Sequence, residues 1–331
     1  MNDITQMLRL MDRPAFFAED GRIAAVNDAA RGLSLSEGTP VAELLSTGRE
    51  AYEEFTDGCL TMALSLPGGS RMASATALDR GHLFTLEPEG TGEDLRMLAL
   101  AAHALRDPLS DVMALVDDLP ADTENLPQLS RGLHRLLRIL GNMTPPPPFH
   151  PEMTELNALL REIWDQTQPA CEAAGIRFTF LPSPAPVFSA ADAGLLTRAI
   201  HNLLSNSMKF SPGGEIRLEL QRSGHACRIR FFDTGAVMPP DPFTRYLREP
   251  GLEDPRSGLG LGLHLVRSAA ITHGGSALMT ALPGGGVLTE LHLPIRQDTN
   301  LRSPRLRLSY TGERDNLLVE LSDVLPPEFY Q

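Results

Sequence analysis

Three cysteines and a single tryptophan are all that 331 residues contain, and aromatic residues make up only 5% of the chain. Cys59, Cys171 and Cys227 lie far apart and show neither metal-ligand spacing nor a disulfide framework, which fits a reducing compartment. No apolar run approaches the ~20 residues needed to cross a bilayer. The opening MNDITQMLRLMD lacks signal-peptide architecture. The expectation is a cytoplasmic protein without membrane insertion. Positive charge is scarce: 29 Lys and Arg face 42 Asp and Glu, for a net charge of −13. That balance argues against nucleic acid or an anionic membrane as the main partner, while leaving room for a local basic site for phosphates.

What is present is enough for two or three ordinary cores, since 42% of residues are hydrophobic. The most regular pattern lies in the middle of the chain. Leu95, Leu98, Ala102, Leu105, Leu109, Val112, Val116 and Leu119 follow alternating steps of three and four, the seam of a helix in a bundle. His103 sits beside that seam, free to face solvent. Pro108 falls within it and is expected to bend the helix just past the histidine. Leu126, Leu129, Leu133, Leu136, Leu140 and Met143 form a second seam, and residues 120–125 between them carry capping residues. Two such helices predict an antiparallel hairpin, completed as a four-helix bundle by a second copy of the chain.

Ahead of the hairpin, PAFFA and RIAAV flank Asp20-Gly21, a hairpin signal. Residues 41–55 read as helical. Residues 59–66, 70–78 and 82–86 then read as a three-stranded meander with turns at Pro67-Gly68-Gly69 and Asp79-Arg80-Gly81. This order, and the run PAFFAEDGRIAAVNDAARGL, resembles a small PAS-type sensor domain over residues 1–90. Cys59 and His82 have no partner pattern, and the reading taken is a domain without a bound cofactor.

Behind the hairpin, four prolines at 145–148 predict a stiff spacer. Met153–Ala174 reads as a helix stopped by Gly175, and residues 176–181 as a strand. Asp192 is placed to cap a helix running to Phe210, on which Asn202, Asn206 and Lys209 recur at four and three and share a face. Two amide oxygens suit a hard cation such as magnesium, and a lysine one turn on suits phosphate. A hairpin over 215–220 and 226–232 ends in Asp233-Thr234-Gly235, where a carboxylate can accept from a purine amino group while glycine lets backbone come close. Residues 236–257 read as a lid. Gly258, Gly260 and Gly262 precede a helix over 263–272, an arrangement that presents backbone amides to phosphate oxygens. Strands over 276–282 and 287–293 follow.

The runs NLLSNSMKFSP, DTG and GLGLGLHLV, in that order, resemble the ATP-binding domain of sensor histidine kinases and their GHKL relatives. HALRDPL upstream resembles the phosphoacceptor motif of the same kinases, and PFTRYLREP the segment leading into their lid. The resemblance spans about residues 93–296. It implies an α+β multidomain chain: the PAS-like α/β domain (1–90), a dimerisation and phosphoacceptor hairpin (93–144), and a GHKL, or Bergerat, α/β sandwich (150–296). It implies ATP and Mg2+ as cofactors, with His103 as the phosphorylated nucleophile and Asn206 holding magnesium beside Asn202. Lys209 and Phe210 would line the nucleotide, Asp233 and Gly235 would receive adenine, and Gly258, Gly260 and Gly262 would cradle phosphates. The partners implied are a second copy of the chain and a response-regulator receiver domain.

Two departures bear on activity. Ala104 follows His103 where the family often has an acidic residue, and the nearest carboxylate on that face is Asp107, one turn on. Asp107 is either a substitute base or a solvated charge. Val237 stands where the first glycine box usually has its second glycine. The alternatives are a non-catalytic phosphotransfer or docking scaffold, and a GHKL serine kinase in which His103 is incidental. Residues 297–331 lie beyond the resemblance; 305–310 and 317–322 are expected to pair as a hairpin around Thr311-Gly312.

Overall fold

The computed structural model describes residues 2–87, 91–120, 123–143, 148–211, 213–235, 237–238, 242–243, 262–296 and 316–330. Helix α1 (Asn2–Arg9) leads into strands β1 (Ala15–Glu19) and β2 (Arg22–Val26). Their turn places Asp20 and Gly21 in the left-handed region, as Asp-Gly predicts. Buried Asn27 then accepts from the Ala15 and Ala30 amides and donates to the Met11 and Arg13 carbonyls, tying the hairpin to α2 (Asp28–Arg31). The helix expected over 41–55 is two, α3 (Val41–Leu44) and α4 (Arg49–Glu53). Leu45 turns extended between them and bridges to Leu64, which ends the first helix. The meander β3 (Cys59–Leu66), β4 (Gly69–Leu78) and β5 (Gly81–Leu86) forms as expected.

Helix α5 (Thr91–Asp117) runs on through Pro108, and α6 (Leu126–Met143) packs against it. The predicted seams divide by heptad position. In α5, Ala102 and Val116 are buried and Leu109 half-buried, whereas Leu105, Val112 and, just past the helix, Leu119 face out. In α6, Leu133 and Leu140 are buried and Leu126 half-buried, whereas Leu129 and Leu136 face out. Met113 and Leu137, outside the predicted seams, join the buried side.

The remaining elements are β6 (Glu152–Glu155), α7 (Leu156–Ala173), β7 (Arg177–Leu181), β8 (Phe188–Ala191), α8 (Ala193–Phe210), β9 (Glu215–Ser223), β10 (Ala226–Asp233), α9 (Gly262–Thr272), β11 (Ser276–Ala281), β12 (Val287–Pro294) and α10 (Asn316–Glu320), with a 3-10 turn at Pro327–Tyr330. The helix expected from Met153 begins three residues later. The Glu155 carboxylate accepts from the Asn157 and Ala158 amides and so caps α7, while Met153 to Glu155 pair with β8. The tail is corrected more sharply. Residues 317–320 are helical, not a strand, and residues 305–310 lie outside the described residues. Residues 319–322 are all buried, wedged between α6 and α8, so neither helical nor strand periodicity shows in the sequence.

One ten-stranded sheet runs β2-β1-β5-β4-β3-β11-β12-β10-β9-β7, antiparallel except for β7 with β9. Helices α7, α8 and α9 close the core over its C-terminal part, with Leu160, Ile163, Leu196, Ile200 and Val266 against Ile216, Leu218, Ile229 and Leu291. The halves join where β3 meets β11: Thr61 Oγ1 donates to the Ala277 carbonyl at 3.3 Å. Glu54–Arg228 and Glu87–Arg267 ion pairs flank that junction.

Candidate functional site

The site grows from α8. Asp192 caps it by accepting from the Leu195 amide at 3.0 Å, and Leu196, Ile200, Leu203 and Leu204 anchor it in the core. That leaves Asn202, Asn206 and Lys209 along one side. Asn202 is fully buried; its Nδ2 donates to the Arg198 carbonyl at 2.9 Å and its Oδ1 accepts from Arg138 Nη2 of α6 at 3.4 Å. A Cβ on Gly262, the first residue of α9, would lie 3.0 Å from that same Oδ1. The glycine therefore lets the α9 N-terminus close on Asn202. Asn206 is half-buried between Asn202 and Lys209, and Phe210 ends the helix half-exposed.

The second half of the site hangs on the end of β10. Asp233 is buried, and its Oδ1 accepts from Ser211 Oγ at 2.7 Å and from the Gly235 amide at 2.9 Å. A Cβ on Gly235 would lie 2.6 Å from the Ser211 Cβ, and one on Gly286 would lie 2.3 Å from the Asp233 carbonyl oxygen. Both glycines thus serve the seating of Asp233. Since Ser211 follows α8 directly, one hydrogen bond ties the amide-bearing helix to this carboxylate.

Lys209 does not face open solvent. Its Nζ pairs with Asp323 beyond α10, and Asp323 also meets Arg138 Nη1 at 2.5 Å and Arg135 Nε at 2.8 Å. Burial draws the Lys209 ammonium below its ordinary value, helped by Arg138 and opposed by Asp323. Burial alone would push the Asp323 carboxyl up, yet Arg138, Lys209 and Arg135 outweigh it and hold that carboxyl below its ordinary value.

His103 and Asp107 stand apart, both exposed on α5 one turn from each other. Neither side chain makes a hydrogen bond or ion pair among the described residues. Gly258, Gly260 and most of the expected lid at 236–257 lie outside the described residues. Of that stretch, Val237 is exposed and Phe243 is buried in the core beside α8 and β10. Among the described residues no group of three or more His, Cys, Asp and Glu could hold a metal. Sequence reasoning missed Arg138, Arg198, Ser211, Gly286, Glu320 and Asp323. Ser211 is signalled only as the residue after Phe210; the charged residues carry no local signal, because their partners are up to 192 positions away.

Comparison with known proteins follows this geometry. Residues 191–297 match the family of histidine kinase-, DNA gyrase B-, and HSP90-like ATPases. The chain is 27% identical over 221 residues to histidine protein kinase DivJ of Caulobacter vibrioides, covering 60% of this chain and 37% of DivJ. It is 28% identical over 230 residues to adaptive-response sensory kinase SasA of Microcystis aeruginosa, covering 60% of this chain and 59% of SasA. The chain thus spans less than two thirds of the length of these relatives. Full-length ShkA in complex with AMPPNP shares the fold over 61% of this chain and 46% of its own, with a TM-score of 0.50 at 23% identity. No helix among the described residues is long and apolar enough to cross a membrane. Residues 191–297 are therefore a histidine kinase-, gyrase B- and HSP90-like ATPase domain, carried in a chain related to the sensor histidine kinases.

Proposed function

We propose that this chain is a cytoplasmic, homodimeric sensor histidine kinase that phosphorylates itself on His103 and passes the phosphoryl group to an aspartate of a response-regulator receiver domain. The observation that carries the reading is the ATPase domain's seated Asp233 and amide-bearing α8, downstream of a helix pair that presents an exposed histidine. Asp233, held by Ser211, accepts from the adenine amino group. Asn206 holds magnesium, with Asn202 setting the helix beside it; the metal when bound neutralises phosphate charge. Lys209 and the glycines at 258, 260 and 262 meet the phosphates. A ring nitrogen of His103 attacks the γ-phosphorus, a P–N bond forms, the bond to the β-phosphate oxygen breaks, and ADP leaves. With Ala104 unable to take the imidazole proton, Asp107 on the next turn is the nearest carboxylate on that face. Positioning and charge neutralisation supply most of the catalysis.

The domain assignment is part of the same proposal. Residues 1–90 are the PAS-like input unit, a reading supported by the five antiparallel strands β2-β1-β5-β4-β3 at one end of the sheet, with short helices between β2 and β3. Residues 93–144 form the phosphoacceptor hairpin and 150–296 the ATPase unit. The outward-facing heptad positions of α5 and α6 fit a second copy of the same hairpin.

The test is incubation of wild type and His103→Ala with γ-labelled ATP and magnesium. Label that is acid-labile, base-stable and absent from the variant establishes the reaction and its acceptor. Acid-stable label that survives in the variant would assign a hydroxyl acceptor and remove His103 from the mechanism.

A further inference from the structure

The C-terminal segment has no part in the reaction just proposed, yet its buried Glu320 and half-buried Asp323 lie among cations of α6 and α8. Arg131 donates from Nε to the Ser322 carbonyl and from Nη2 to the Asp323 carbonyl, both at 3.1 Å. The Asp323 carboxylate takes Arg135, Arg138 and Lys209. Glu320 lies between Arg138 Nε at 3.7 Å and Arg198 Nε at 3.5 Å. Arg198 in turn donates from Nη2 to the Gly141 carbonyl at 2.5 Å and to Asn142 Oδ1 at 2.9 Å, joining α8 to the end of α6. Around the segment, Val319 fills the cluster of Met113, Val116, Leu133 and Leu137, and the Tyr330 ring packs on His134 with centroids 5.0 Å apart.

Two features separate this from ordinary tail packing. Val319, Leu321, Leu325 and Tyr330 already anchor the segment by apolar burial, so it has a hold that does not depend on the ion pairs. The carboxylates also sit on the side of α8 that a nucleotide's phosphates would need. Asp323 occupies Lys209, and Arg138, which Asp323 and Glu320 hold, donates to Asn202 opposite the start of α9. A polyphosphate, with more charge and more acceptor oxygens, competes with the two carboxylates for these cations.

We propose that residues 316–330 are an internal competitor for the nucleotide: Asp323 and Glu320 hold the phosphate-facing cations and lock α8 to α6, and a polyphosphate that takes Lys209 releases both. This rests on the reading of α8 as the nucleotide site. A competitor of this kind lowers apparent affinity by the fraction of molecules in the locked state.

The experiment uses the full chain as wild type, Asp323→Asn, and Glu320→Gln with Asp323→Asn. Titration with AMPPNP and magnesium by calorimetry is expected to show about tenfold tighter binding in the double variant, as for a locked state populated at about 90%. In wild type, saturating AMPPNP is expected to speed hydrogen exchange of the amides at 317–330. Equal or weaker affinity in variants with wild-type circular dichroism overturns the proposal. So does unchanged exchange of 317–330 at saturation, a readout that needs no variant. Absence of AMPPNP binding in all three proteins overturns the nucleotide-site reading itself, and the competitor with it.

Discussion

At position 235 there is no room for a side chain. A Cβ would meet Ser211 at 2.6 Å, so Gly235→Ala must push Ser211 away from Asp233 and is expected to cost about 1–3 kcal/mol of stability. It should weaken ATP binding in the same variant, and calorimetry beside a thermal melt separates the two effects. Ser211→Ala removes the hydroxyl donor and leaves a buried carboxylate with fewer partners, at a cost of about 1–3 kcal/mol. Unchanged ATP affinity in Ser211→Ala would show that Asp233 is seated without it. Asn206→Ala is expected to abolish the magnesium dependence of ATP binding, and a titration that stays magnesium-dependent would remove Asn206 from the metal. Asp323 sets a pH dependence. Its carboxyl is held below its ordinary value of 3.8 by Arg138, Lys209 and Arg135 against the opposing effect of burial. A group depressed on folding stabilises above its unfolded value and loses that contribution as pH falls through the folded one. The difference in melting temperature between wild type and Asp323→Asn should therefore hold from neutral pH down to about 4 and close below it. No difference at neutral pH would show that the ion pairs do not stabilise the fold, and closure near pH 6 would assign the pH dependence to a group other than Asp323. At this scale the sequence disclosed residue types but not partners. Asp233 and Gly235 were readable as a carboxylate and a close approach, whereas what approaches so closely is the chain's own Ser211.

Helices α5 and α6 show how a pattern can be legible and its division not. The three-four spacing identified both helices and their shared face. It carries no information on which half of each seam stays within one chain. Leu105 is 57% exposed and Leu136 is 49% exposed, whereas Leu133 is buried. Leu105→Asp and Leu136→Asp are accordingly expected to leave folded monomers, with light scattering showing half the mass of wild type. Unchanged mass would refute the two-copy bundle. Met113→Ala instead acts inside one chain, emptying the cluster it shares with Leu137 and Val319, and is expected to cost about 2–5 kcal/mol by urea unfolding. Helix α10 was misread as a strand because a short segment buried on every side shows no period. The sequence starts α7 too early because its cap, Glu155, also receives the Val187 amide at 3.1 Å, just ahead of β8 and 32 residues on.

Across the whole molecule, β3 joins the N-terminal strands to β11 of the C-terminal part. Gly58 (φ +87°) makes this junction close, since a Cβ there would lie 2.2 Å from the Met279 carbonyl oxygen. Gly58→Ala is strained at that φ and clashes with backbone, so it is expected to loosen the junction. Faster hydrogen exchange along β11, with β9 and β10 unchanged, is the readout; uniform exchange across all three strands would mean the junction does not open as a unit. Local signals decided much of this protein: residues within a few positions of one another dictate helix faces, caps, strand alternation and the glycine-rich approaches, because the relevant forces act across a turn or between paired strands. Residue order alone thus disclosed the ATPase motifs, the exposed histidine and the hairpin. Only the tertiary structure decided that the two sheets run on as one, that half of each seam stays outward, and that Asp323 reaches Lys209. The first and last of these are contacts between segments more than a hundred residues apart, and burial and charge pairing at such separations leave no periodic trace in the sequence.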